Sequence, residues 1–159
     1  MSMPILTSLR RALPVLAAFA AGAALSPWLL HALPEAHAQA PALTPQLLDV
    51  AALKESDLAQ TPNPDLKSKT YVATEHGTIA VQMGNVAKHF HSNTDEIQYI
   101  VEGSGTAWLG NEKKEIRPGM LIVIPRGTHH AGTEATSGRF KAIAIKLPPQ
   151  DPKDTTFVQ

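Results

Sequence analysis

From Thr70 onward the chain alternates short apolar runs with turn residues at close intervals. Residues 71–75 and 78–83 flank His76-Gly77, and residues 86–91 and 96–101 flank Ser-Asn-Thr-Asp. Residues 106–109 and 112–116 flank Gly110-Asn111, a two-residue hairpin signal. Arg117-Pro118-Gly119 is a turn, residues 120–124 are a buried strand, Pro125-Arg126-Gly127 turns again, and residues 139–147 are the last strand. About eight short strands with no convincing helix among them predict an all-β domain over residues 70–147, an antiparallel barrel or sandwich.

The flanks read differently. Residues 39–69 are rich in proline, polar residues and short apolar clusters, and are expected to form an N-terminal arm. Within it, residues 47–53 fit a strand or a helical turn equally well. Residues 148–159 are rich in Pro, Asp and Lys and are expected to be a flexible tail.

The first 38 residues form a separate pattern. Arg10-Arg11 precede an apolar run over residues 12–24 that extends to Leu30, and Ala36-His37-Ala38 offers a small-x-small cleavage site. A basic start, an apolar core and such an end describe a secretory signal peptide, with an uncleaved anchor as the competing reading. The paired arginines partly resemble a twin-arginine signal, and the general secretory route stands beside it. A periplasmic or secreted protein with no stable membrane anchor is therefore expected.

Removal of residues 1–38 leaves 121 residues with 12 basic and 13 acidic side chains. A near-neutral chain without a basic stripe offers no footprint for nucleic acid. There is no cysteine. An exported chain without disulfides depends on its core, and any metal site must be built from His, Asp and Glu.

His89-Phe90-His91 supplies such donors. On a strand, His89 and His91 share one face, and the turn that follows can bring Glu96 opposite them. Two imidazoles and a carboxylate are the donor set of non-haem iron sites with open positions, although such a trio is also an ordinary polar strand face. The run Gly119–His130 adds a hydrophobic strand, a Pro-x-Gly turn and a third histidine.

Taken together these residues resemble the cupin superfamily. Gly84, His89, His91, Glu96 and Gly103 follow its first motif; Gly119, Pro125, Gly127 and His130 follow its second. The 15 residues between Gly103 and Gly119 match the short spacing of small bacterial single-domain cupins. Two positions depart: Gly84 lies one residue closer to His89 than the motif has it, and Glu134 replaces the terminal Asn.

The resemblance implies an antiparallel, jelly-roll-like β-barrel. It also implies a divalent transition metal held by His89, His91, Glu96 and His130. Iron or manganese is favoured, with nickel, copper and zinc also compatible. His129 is the local rival to His130, and the motif spacing selects His130.

Strand parity adds Gln98, which faces inward with Glu96 and could orient a substrate or a metal-bound water, or be satisfied by neighbouring backbone. Ile97, Tyr99 and Val101 on the opposite face are apolar and require a cover, either the arm near residues 47–53 or a second subunit; a homodimer is expected. The function expected is a metal-dependent enzyme acting on a small oxygen-bearing molecule by dioxygenase- or oxidase-like chemistry. A metal-dependent isomerase or lyase, and a non-catalytic ligand-binding or sensing module, are the alternatives.

Overall fold

The computed structural model describes residues 42–158; the expected signal peptide, residues 1–38, lies outside the described residues. After a short 3-10 turn at Glu55–Asp57 come nine strands: β1 (Ala59–Gln60), β2 (Leu66–Ala73), β3 (Thr78–Gly84), β4 (His89–Phe90), β5 (Asp95–Leu109), β6 (Glu112–Ile116), β7 (Leu121–Ile124), β8 (His130–Leu147) and β9 (Thr156–Phe157). Every pairing among them is antiparallel, so the all-β antiparallel architecture is as expected.

Two long strands organise the sheet. β5 and β8 pair from Asp95↔Leu147 to Leu109↔His130, with four irregularities in register along the way. The sequence pattern breaks β5 at Glu-Gly-Ser-Gly and starts the last strand at Arg139, whereas the structure carries both strands through. The reason lies in the glycines. A Cβ on Gly103, whose φ is +85°, would lie 2.7 Å from the Arg139 carbonyl oxygen, and one on Gly105 would lie 2.1 Å from that of Glu134. Without side chains these residues let the two backbones close at the bulges, and bulges bend and twist a sheet. The strand expected over residues 86–91 shrinks to His89–Phe90.

The inner face is packed by Ile100, Ala107, Ile116, Phe140 and Ala142, with Met120 and Ile122 against them. A second cluster lies outside β3, where Leu48, Val50 and Leu53 of the arm pack against Val81, Met83 and Leu58. The arm therefore covers β3 and leaves Tyr99, Leu121 and Val123 exposed. The segment after Leu147 differs from the loose tail expected: β9 pairs with β4, and Asp154 is buried. Its proline content hides specific hydrogen bonds, described below.

Gly84 ends β3 at φ +139°, where a Cβ would meet the Asp65 carbonyl oxygen at 1.9 Å. Gly110 has φ +64° and open space around it. Gly84→Ala should therefore destabilise the domain by about 2 kcal/mol or more, and Gly110→Ala by about 1 kcal/mol. Urea melts of the two variants check this order.

Candidate metal centre

Four predicted residues meet at one end of the sheet. His89 lies on β4 and pairs with His130, the first residue of β8. His91 follows β4 directly, and Glu96 is the second residue of β5. All four side chains are buried, between 2% and 6% exposed. Ring centroids are 4.2 Å apart for His89 and His130, 5.0 Å for His89 and His91, and 5.2 Å for His91 and His130. One nitrogen from each imidazole can be chosen so that all lie within 4.8 Å of one another. Phe90 turns the other way, as parity requires, and stacks on His129 at 5.3 Å; His129 is thus outside the cluster.

The two histidine-bearing segments are tied together beside the cluster. The Gly127 N–H donates to the His91 carbonyl at 2.7 Å. Arg126 donates its backbone N–H to Asp95 Oδ1 at 2.8 Å and its guanidinium to both Asp95 oxygens, at 3.1 and 2.7 Å. These hydrogen bonds from Arg126 hold the Asp95 carboxyl down at about 2. A planar guanidinium fork suits this two-point grip, which fixes the turn before Glu96 against the turn before His130.

Each imidazole is oriented from behind by a backbone carbonyl. His89 Nδ1 lies 2.8 Å from the Ala87 oxygen, His130 Nδ1 lies 2.9 Å from that of Thr128, and His91 Nδ1 is in close contact with that of Asp154. Gln150 Nε2 also lies near His91 Nδ1, but its two protons are taken by the Asp154 carbonyl and Thr155 Oγ1, at 3.0 and 2.7 Å. With a proton on each Nδ1, each Nε2 carries a lone pair. His130 Nε2 is buried with no hydrogen-bond partner. His91 Nε2 and His130 Nε2 lie 3.1 and 3.5 Å from Glu96 Oε2.

Lone pairs facing a carboxylate at that separation repel unless a cation lies between them. Burial beside two other imidazoles pushes His89 down to about 4, so that ring is neutral. Burial opposes the charge of Glu96, whereas the Lys146 ammonium and the Gln98 amide favour it. Neutral imidazoles anchored through Nδ1 and an ionised carboxylate are what a divalent transition ion requires. The residues present fit such an ion.

Gln98 faces inward and donates from Nε2 to Glu96 Oε1 at 2.7 Å, so its amide grips the carboxylate. Glu134, which replaces the motif's Asn, has a side chain 69% exposed and pairs with Lys113 at 2.6 Å. A cleft of about 980 Å³ opens onto the cluster, with His89, His91, Glu96, Gln98 and Lys146 in its wall.

Sequence reasoning missed three residues here. Lys146 places its ammonium 3.4 Å from His91 Nε2 and 3.5 Å from Glu96 Oε2. Its signal was legible, since Lys146 lies two residues beyond Ala144 and directly opposite Glu96 on the same face of the sheet. Asp154 and Gln150 had no such signal, because their segment returns to the site by a loop.

Asp154 accepts the Ser92 N–H at 2.7 Å and the Asn93 N–H at 3.1 Å through its carboxylate, while its carbonyl contacts His91. These hydrogen bonds, together with that of the Thr94 side chain, hold the carboxyl below its usual range against the effect of burial. One residue thus clamps both the loop after His91 and the imidazole itself. Asp154→Ala should weaken metal affinity by about tenfold or more while the barrel stays folded. Metal titration with circular dichroism on the same samples checks both halves.

Residues 76–146 match the family described as cupin domain. An uncharacterized protein of Methanocaldococcus jannaschii is 35% identical over 71 residues, which are 45% of this chain and 57% of that protein. The chain thus matches little more than half the length of that relative. Among solved structures, KdgF from Halomonas sp. superposes with TM-score 0.52 at 25% identity, covering 58% of this chain and 86% of that one. Pac13, a nucleoside dehydratase, superposes with TM-score 0.53 at 16% identity over 67% and 88%. Ectoine synthase from P. lautus gives 0.54 at 18% identity over 74% and 91%. The last two likenesses speak for the fold alone. With both histidine motifs, the curled antiparallel sheet and the family match in agreement, this is a small protein whose residues 76–146 are a cupin domain.

Proposed function

We propose that this chain is an exported, metal-dependent enzyme that acts on a small oxygen-bearing molecule in the cleft beside His89, His91, Glu96 and His130. The observation that carries the reading is the set of three Nδ1-anchored imidazoles whose Nε2 atoms face one carboxylate. When bound there, a divalent transition ion supplies Lewis-acid polarisation of a substrate oxygen and, where redox-active, electron transfer.

The chain's own residues do the rest. The carbonyls of Ala87, Asp154 and Thr128 keep the rings aimed, and Gln98 steadies Glu96. The cleft leaves substrate and water a way in. Oxidative chemistry, with iron or manganese as the ion, is the first reading. A non-redox isomerase or lyase is the second, favoured by one observation: Lys146 provides a polar nitrogen at the site that could accompany proton movement.

Export through residues 1–38 and assembly as a homodimer complete the proposal. Tyr99 pairs with Leu121 and Ile97 with Val123, and three of these four side chains are large exposed hydrophobics, at 43%, 62% and 58% for Tyr99, Leu121 and Val123. A second copy of the chain would cover this face, which the arm leaves open.

Protein isolated from its own compartment without added metal should contain about one transition ion per chain. His89→Ala and His130→Ala should each lower that content at least about tenfold and stay folded. Equal metal in wild type and both variants would overturn the assignment. Iron or manganese supports the oxidative reading, and zinc alone favours the non-redox one. Sedimentation velocity should give a dimer that becomes a monomer on joint replacement of Leu121 and Val123 by lysine; a monomeric wild type would contradict the interface.

A further inference from the structure

Lys146 is the one cation in the wall of the metal-site cleft among the described residues. The cleft also contains the carboxylates of Asp65, Glu96 and Glu134. Asp65 is already paired with Arg139 at 2.8 Å, and Glu134 with Lys113 at 2.6 Å. Glu96 is the acid near Lys146, at 3.5 Å. Once an ion takes the Glu96 charge, the Lys146 ammonium retains only the neutral Gln150 carbonyl oxygen, with which it is in close contact. The Lys146 side chain is 14% exposed, so this charge sits largely out of water. A divalent ion, one carboxylate and one ammonium would leave the floor of the cleft with an excess of about two positive charges. A desolvated ammonium without a counter-charge is unfavourable, and a bound anion would offset it.

The cleft leaves room for such an anion: its volume is about 980 Å³, and Gln98 and Gln82 line it as neutral hydrogen-bonding groups beside Lys146.

We propose that the substrate carries a carboxylate, and that Lys146 anchors this group beside the ion held by the histidines. The proposal rests on the metal reading above and narrows its small oxygen-bearing molecule to an organic acid. An ammonium provides a point charge with three donors, suited to gripping one carboxylate oxygen while the other remains free.

The test uses the full exported chain loaded with metal, with the metal counted in every sample first. Pyruvate, lactate and malonate are titrated calorimetrically, beside methyl pyruvate as the uncharged counterpart. Wild type should bind at least one of the acids, and pyruvate at least tenfold more tightly than its ester. Lys146→Met should take up metal as well as wild type yet lose tenfold or more in acid affinity, and Lys146→Arg should recover part of it. Full metal occupancy with no acid bound, with ester and acid bound alike, or with Lys146→Met binding as tightly as wild type, would overturn the proposal and leave the metal reading intact. A wild type that takes up no metal contradicts the metal reading itself and removes the ground of this one.

Discussion

The site depends on an arrangement of acceptors. Three buried imidazoles turn their Nδ1 atoms to backbone carbonyls, so their Nε2 lone pairs face one another and the Glu96 carboxylate. The Lys146 ammonium reaches His91 Nε2 and Glu96, but His130 Nε2 is left without any hydrogen-bond partner. A cation is the simplest solution, and the surrounding protein is built to hold the acceptors where a cation would bind them. The carbonyls belong to Ala87, Thr128 and Asp154, three separate loops, so the geometry of the centre reports on the fold around it.

That fold follows from two strands able to bend. β5 carries Glu96 and Gln98 near its start, and β8 carries His130 at its start and Lys146 near its end. Their antiparallel pairing places Glu96 opposite Lys146, and the bulges at Gly103 and Gly105 curl the ladder so that its far end, Leu109↔His130, is part of the same enclosure. A flat ladder of this length would separate Glu96 from His130 by most of the strand. The glycines therefore shape the site without touching it.

Much of this was legible in the chain. The histidine and glycine spacings marked the fold, and strand parity placed Gln98 on the inner face with Glu96. Parity applied to the last strand would also have found Lys146. Other features were hidden for physical reasons. Local pattern could not show that β5 and β8 run through their glycines, because a glycine that ends one strand can serve as a bulge in another, depending on what approaches it from across the sheet. Nor could composition reveal that Asp154 clamps His91. Its contacts join residues more than 60 positions apart, and the segment between Leu147 and Asp154 has the Pro-rich character of a loose end. The arm and a second subunit were alternative covers for the face of Ile97, Tyr99 and Val101; the arm instead covers β3, since which apolar surface a segment meets is decided by the path of the chain.

Long-range nitrogen–proton NMR of ¹⁵N-labelled protein loaded with zinc shows directly which imidazole nitrogens face the ion. Zinc is diamagnetic and accepts the same donors. His89, His91 and His130 should all ligate through Nε2 and keep their protons on Nδ1. A free imidazole at any of the three positions, or ligation through Nδ1, would contradict this arrangement.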